Sequence, residues 1–178
     1  VSRSLAACEG AILIVDAAQG IEAQTLANLY LAMNNDLTII PVINKIDLPN
    51  ADVEKVTDEL VNVLGFNRDE ILLCSGKTGV GVKELLNAIV KRIPAPKEPI
   101  DHETKAMIFD SYFDPYRGVI ASVRVFDGKI KKSDTIKMMS TGAMYEVVEL
   151  GVSTPKTKEL SELVSGQVGW INASIKTI

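Results

Sequence analysis

An amide, a lysine and a carboxylate follow one another directly after an apolar run. The run Thr38–Ile43 leads into Asn44-Lys45-Ile46-Asp47, which is expected at the carboxyl end of a strand, where open α/β sheets bind their ligands. The carboxylate of Asp47 can accept two hydrogen bonds from the N1 and N2 hydrogens of guanine, a pair that adenine does not offer. The stem of Lys45 can lie along the ring face, and Asn44 can bond the other base edge or tie neighbouring loops together. This spacing suits a site that reads guanine.

A second strand end supports this interpretation over the simpler one, a polar turn between a strand and a helix. The apolar run Ile71–Cys74 ends in Ser75-Gly76-Lys77. Gly76 has no Cβ, so its backbone N–H can approach the O6 of the base closely, and Lys77 can cover the ring face opposite Lys45. The residues predicted to contact guanine are therefore Asn44, Lys45, Asp47, Ser75, Gly76 and Lys77.

Two longer stretches resemble one group of GTPases. The run Val1–Gly20 is similar to the region that follows switch II in translational GTPases, and Phe109–Val119 resembles the opening of the second domain in the LepA family, also called elongation factor 4. The resemblance extends along essentially the whole chain. It implies a ribosome-dependent GTPase that binds GTP or GDP, has the ribosome as its partner and affects tRNA movement during elongation. A translocase-type elongation factor and a non-catalytic interaction scaffold remain as alternatives.

The parts that handle phosphate in such enzymes are missing from the sequence. Gly76-Lys77-Thr78 imitates the end of a Gly-x-x-x-x-Gly-Lys-Ser/Thr loop, but Ile71 stands where the first glycine is required. The resemblance implies that the magnesium and γ-phosphate element, and the catalytic histidine, would lie before Val1. We therefore expect an internal piece of a larger protein with no catalytic or metal-binding residue. Mg²⁺ would belong only to the full-length parent, and the piece alone is not expected to hydrolyse GTP.

Residues 1–93 alternate between strand and helix signals. Short apolar runs at Ala11–Val15, Thr38–Ile43 and Ile71–Cys74 are separated by segments with apolar residues at helical spacing, and Asp52 is placed to cap one of these helices. Together with the resemblance, this pattern predicts the C-terminal half of a P-loop GTPase domain, with three parallel strands and their helices. The run 11–15 would lack a neighbouring strand, so we expect artefactual self-association through that edge.

The pattern changes after a linker at 94–104, in which three prolines exclude a regular helix or central strand. Residues 105–178 show strand-like alternation, for example along Val119–Phe126, and a hairpin signal at Asp127-Gly128. They predict a small antiparallel β-barrel that resembles the second domain of translation factors, and whose closure would take a little more chain after Ile178. The segment Asp114–Gly118 is either a tight turn or a surface on which Arg117 contacts ribosomal RNA or the GTPase domain.

The composition sets limits on partners and location. The chain has 178 residues, 47% of them hydrophobic and 24% charged, with a net charge of −4, which argues against a broad basic surface and against sequence-specific nucleic-acid binding by this piece. Its two cysteines, Cys8 and Cys74, have no metal-ligand spacing and are predicted to be buried, reduced thiols of a cytoplasmic protein. The resemblance also allows peripheral association with the cytoplasmic face of the membrane. The lone His102 lies in the linker and is assigned no role.

Overall fold

The computed structural model describes residues 2–97 and 103–173. The chain divides into two compact units, Val1–Ala95 and Pro96–Ile178. Part of the predicted linker, 98–102, which includes His102, and residues 174–178 of the predicted barrel lie outside the described residues. The described strands of the first unit form one sheet, and those of the second unit form three.

The first unit is a three-stranded parallel sheet with helices between the strands. Its elements are α1 (Ser2–Leu5), β1 (Gly10–Asp16), α2 (Ala23–Met33), β2 (Thr38–Asn44), α3 (Val53–Leu64), a 3₁₀ turn (Arg68–Glu70), β3 (Leu72–Leu73) and α4 (Val82–Arg92). The strand order is β1-β2-β3. Asp16 pairs with Asn44 at the carboxyl ends of β1 and β2, and Ile43 pairs with Leu73 of β3. All three strands therefore end on the same side, at the carboxyl end of the sheet.

Alternation along β2 buries both faces of this sheet. Ile43 packs with α3 residues such as Leu60, whereas Ile40 and Val42 face Leu85 of α4 and its neighbours. Both faces of a parallel sheet are normally covered in this way, which explains the continuous apolar run. Helix α3 begins as predicted, because Oδ1 of Asp52 accepts a hydrogen bond from the Lys55 N–H at 3.1 Å.

Two local expectations for the first unit are wrong. The third strand spans only Leu72–Leu73 rather than Ile71–Cys74, since the Ile71 N–H bonds back to Arg68 at the end of the 3₁₀ turn. Cys8 is exposed rather than buried: it lies between α1 and β1, with its Sγ 3.3 Å from the Ser4 carbonyl. Cys74 is buried, and this burial raises the pKa of its thiol.

The described strands of the second unit form antiparallel sheets, most of whose buried apolar residues lie in one cluster. Its strands are β4 (Lys105–Asp114), β5 (Gly118–Asp127), β6 (Lys129–Lys131), β7 (Thr135–Lys137), β8 (Met144–Glu146), β9 (Glu149–Thr154), β10 (Lys156–Glu159), β11 (Glu162–Val164) and β12 (Val168–Asn172). The larger sheet has the order β10-β9-β12-β5-β4, and β11-β6 and β7-β8 form two smaller pairs. Val125, Ile130, Leu163 and Ile171 bring four of these strands into the same core.

The turn at Asp127-Gly128 does not close the predicted hairpin. Strand β6 pairs with β11, with Ile130 opposite Leu163, and not with β5. Gly128 has φ +68°, and a Cβ there would lie 2.5 Å from Oγ1 of Thr104, so the glycine redirects the chain past Thr104 into the other sheet. Strand β5 also departs from simple alternation: Arg124 is buried and its guanidinium lies 4.9 Å from the Phe126 ring centroid.

Candidate nucleotide-binding site

The loops that follow the three strands of the first unit are joined by backbone hydrogen bonds. The N–H of Ala17, after β1, donates to the Asn44 carbonyl at 2.8 Å. The N–H of Ile46, after β2, donates to the Cys74 carbonyl at 3.4 Å. Each loop is therefore positioned by its neighbour. The polar residues on the loops converge at the carboxyl ends of the strands, where ligands bind in open α/β sheets.

Ser75 connects the second and third loops through its side chain. Its Oγ donates to Oδ1 of Asp47 at 2.6 Å and accepts the Thr78 N–H at 3.1 Å, and Ser75 is fully buried. The hydrogen bond from Ser75 lowers the pKa of Asp47, and the positive charge of Lys77 acts in the same direction. The Asp47 side chain is therefore a carboxylate, able only to accept hydrogen bonds, at any pH well above its ordinary pKa of 3.8.

Asn44 also joins two loops. Its Oδ1 accepts the Gly76 N–H at 3.1 Å and lies 3.5 Å from Sγ of Cys74. Of the two roles considered for Asn44, the structure shows the one that ties the loops together. The Gly76 N–H, predicted to approach a base oxygen, donates to Asn44 in this structure.

Lys45 is held in place by a residue outside the six predicted to contact guanine. Its Nζ lies 2.7 Å from Oδ2 of Asp16, at the end of β1. The other oxygen of Asp16 accepts the Ala18 N–H at 2.8 Å. The hydrogen bond from Lys45 is the main cause that lowers the pKa of Asp16. The sequence does carry a sign of this role. Asp16 directly follows the apolar run Ala11–Val15, just as Asn44 directly follows the apolar run Thr38–Ile43.

A crevice of about 320 Å³ lies among these residues and is lined by Asn44, Lys45, Asp47, Leu48, Gly76 and Lys77. This volume is at the small end of the range for ligand sites. The lining includes every residue predicted to contact guanine except Ser75, which is buried and hydrogen-bonded to Asp47. Within residues 2–97 and 103–173, no group of three or more His, Cys, Asp or Glu side chains is placed to hold a metal ion.

Arg117 lies in the second unit, on the turn between β4 and β5. Oδ1 of Asp114 accepts the N–H groups of Tyr116 and Arg117, both at 2.9 Å, which shapes the turn. The Arg117 guanidinium lies 3.5 Å from Glu149 and 5.7 Å from the ring centroid of Trp170. It therefore packs against its own unit, and a contact with the ribosome or with another domain remains a prediction.

Comparison with known families agrees with this architecture. The family described as "Elongation factor Tu GTP binding domain" matches residues 1–95, and "Elongation factor Tu domain 2" matches residues 118–178. The chain therefore belongs to the elongation factor Tu GTP-binding domain family, the class of translational GTPases. The predicted fold class, part of an α/β domain followed by an antiparallel β domain, is confirmed.

The relatives narrow this class further. The whole chain is 60% identical to elongation factor 4 of Geobacillus thermodenitrificans and 57% identical to elongation factor 4 of Staphylococcus carnosus. The resemblance to LepA is thus confirmed, and the chain spans 29% of the length of these relatives.

Solved structures show the same fold at lower identity. A bacterial selenocysteine-specific elongation factor EF-Sec is 21% identical with a TM-score of 0.74, covering 98% of this chain and 31% of its own. The apo form of elongation factor SelB from Methanococcus maripaludis is 20% identical with a TM-score of 0.77. The match covers 94% of this chain and 37% of the SelB chain.

Among the described residues, no helix is long and apolar enough to cross a membrane.

Proposed function

We propose that this chain supplies the guanine-reading part and the second domain of a ribosome-dependent GTPase of the elongation factor 4 type, which acts in translation elongation and affects tRNA movement. One observation carries the proposal. Asp47 and Asn44 on one loop are hydrogen-bonded to Ser75 and Gly76 on the next, around a crevice at the carboxyl ends of parallel strands. Such an arrangement holds a carboxylate ready for a base before the base arrives.

The chemistry of the crevice favours guanine in GTP or GDP. An ionised Asp47 accepts from the N1 and N2 hydrogens of guanine, whereas adenine presents an unprotonated N1 and would leave the carboxylate without those donors. Lys45 and Lys77 both line the crevice, and their stems would cover opposite faces of the ring. The Gly76 N–H would turn from Asn44 to the base oxygen, or be shared between them.

The proposed layout follows from this assignment. We assign residues 1–93 to a partial GTP-binding domain, 94–104 to a linker and 105–178 to the second-domain barrel, supported by the division between residues 95 and 96. Arg117 is the proposed contact of the second domain with the ribosome or with the GTP-binding domain. The site of action would be the cytoplasm, with peripheral membrane association as an additional location. In the full-length protein Mg²⁺ would accompany the phosphates.

A paired binding and hydrolysis assay tests the proposal. GTP, GDP and ATP compete for binding to the chain as given and to a chain extended N-terminally through a phosphate loop, with turnover measured in the presence and absence of ribosomes. We expect guanine-selective binding, and hydrolysis only by the extended chain with ribosomes. Equal binding of ATP and GTP would exclude the guanine assignment. An extended chain that binds GTP but never hydrolyses it would favour the non-catalytic scaffold.

A further inference from the structure

We propose that Asp16 is a positioning residue of the base site, which acts by holding the ammonium group of Lys45; this inference rests on the proposed function. The two groups are 2.7 Å apart, and they join the end of β1 to the loop after β2. The six residues predicted to contact the base come from the end of β2 and from the loops after β2 and β3. Asp16 would therefore bring the loop after β1 into guanine recognition.

Hydrogen bonds hold both the side chain and the backbone of Asp16, and the loop that follows it. Its Oδ1 accepts the Ala18 N–H, and its backbone carbonyl accepts the Gly20 N–H at 2.9 Å. The following N–H, that of Ile21, donates to Oε2 of Glu59 on α3 at 3.1 Å. The Asp16 side chain is 15% exposed, so the anion belongs to the framework of the domain rather than to its mobile surface.

Lys45, by contrast, is a long side chain at the surface. Its side chain is 56% exposed. Its backbone, with φ +65°, lies in the left-handed region that non-glycine residues rarely occupy. An exposed lysine normally moves among many rotamers, and ordering it costs conformational entropy on binding. The ion pair restricts the stem before the base arrives, and this preorganisation strengthens binding.

Two variants separate this role from a general structural one. Asp16→Asn removes the charge of the anchor, and Lys45→Met removes the ammonium while keeping a long apolar stem. If Asp16 acts through Lys45, each variant should weaken GTP and GDP binding by about tenfold. The double variant should be no weaker than either single one, because both remove the same interaction.

The experiment is a double-mutant cycle of dissociation constants for fluorescent GDP and GTP, measured on the full-length protein that contains this chain. Unfolding temperatures without nucleotide accompany each measurement. Asp58→Asn is the matched control, since it removes a carboxylate from another ion pair, with Arg68, and its affinity should equal that of the wild type. Should Asp16→Asn fail to fold, Asp16→Ser takes its place in the cycle, since a serine hydroxyl can still accept the Ala18 N–H but carries no charge for Lys45. Wild-type affinity in the folded Asp16 variant overturns the inference.

The outcomes distinguish the inference from the function on which it rests. If the wild type binds GTP selectively but Asp16→Asn has wild-type affinity, or weakens binding equally in the Lys45→Met background, Asp16 does not act through Lys45. If the wild type binds ATP as well as GTP, the proposed function fails and the inference fails with it.

Discussion

The hydroxyl oxygen of Ser75 lies 2.6 Å from Oδ1 of Asp47, although 28 positions separate the two residues in the chain. Ser75 is fully buried, so its hydroxyl cannot turn to solvent, and its bond to Asp47 lowers the pKa of that carboxyl. The orientation of the group that would read the base is therefore set by the loop after the neighbouring strand.

Replacing Ser75 with alanine should raise the pKa of Asp47 toward 3.8, because the main cause of its lowering is removed. With a lowered folded-state pKa, the contribution of this bond to stability is present above the unfolded-state pKa and is lost as pH falls through the folded-state pKa. Ser75→Ala should therefore make the free energy of unfolding less dependent on pH in the range between the folded-state and unfolded-state pKa values of Asp47. NMR titration of the Asp47 carboxyl carbon measures the shift.

The same variant should weaken GTP binding several-fold, since the carboxylate is no longer oriented. Thr57→Ala is the matched control: it also deletes a buried hydroxyl in the first unit, but one that donates to the Val53 carbonyl within α3. An unchanged Asp47 pKa in Ser75→Ala would contradict the role assigned to this bond.

Asp47→Asn should shift base preference from guanine toward xanthine. The asparagine amide offers a donor where xanthine carries an oxygen, and it loses one of the two acceptors that guanine requires. We expect GTP affinity to fall by about 10- to 100-fold while affinity for xanthosine triphosphate rises. Competition binding with both nucleotides measures the change, and retained GTP selectivity would show that Asp47 does not read the base.

Two glycines of the segment between β3 and α4 should respond differently to alanine. A Cβ at Gly76 would have Oδ1 of Asn44 as its nearest neighbour, at 3.9 Å, so Gly76→Ala should change the free energy of unfolding by less than about 0.5 kcal/mol. A Cβ at Gly81 would overlap the Leu73 carbonyl, and its φ of +73° is unfavourable for alanine. Gly81→Ala should therefore cost about 2 kcal/mol or more.

Urea unfolding of both variants gives the comparison. Equal destabilisation would mean that the loop after β3 does not have the geometry described here. Base selectivity of Gly76→Ala should be close to that of the wild type, because alanine presents the same backbone N–H.

The edge of the first sheet should promote self-association of the chain as given. Strand β1 is at one end of the sheet order among the described strands, and its Ile14 side chain is 57% exposed. Exposed apolar edge strands invite pairing with another chain, and a lysine on the edge opposes it. Ile14→Lys should lower the weight-average mass in concentrated sedimentation experiments. Val90→Lys, on α4 where the valine is 82% exposed, is the control; a monomeric wild type would refute the prediction.

Much of the first unit was predictable because local signals and tertiary structure agree there. The apolar runs that end at Val15 and Ile43 are strands, and Asp52 caps the helix that it precedes. Five of the six residues predicted for base contact line one crevice, because equivalent positions at the ends of parallel strands are neighbours.

The errors arise where long-range packing decides. Asp127-Gly128 has the composition of a hairpin turn, but the pairing partner of β6 lies in β11, and no nearby residue indicates this. The ion pair between Lys45 and Asp16 depends on the parallel register of β1 and β2, which places Asp16 beside Asn44. Local sequence predicts the polar groups at each strand end but not the bonds among them.

The pairing of β5 with β12 has a consequence for the order of folding during synthesis. Ile120 lies opposite Asn172, and Arg124 opposite Val168, so the central pair of the larger sheet joins distant parts of the unit. Such non-local pairs raise contact order and slow folding. A nascent chain that has been made only as far as β11 would hold β5 without its inner partner, with Val123 and Val125 unable to complete their core. We expect this unit to complete its fold only after β12 has been synthesised, whereas the three described strands of the first unit can pair before that.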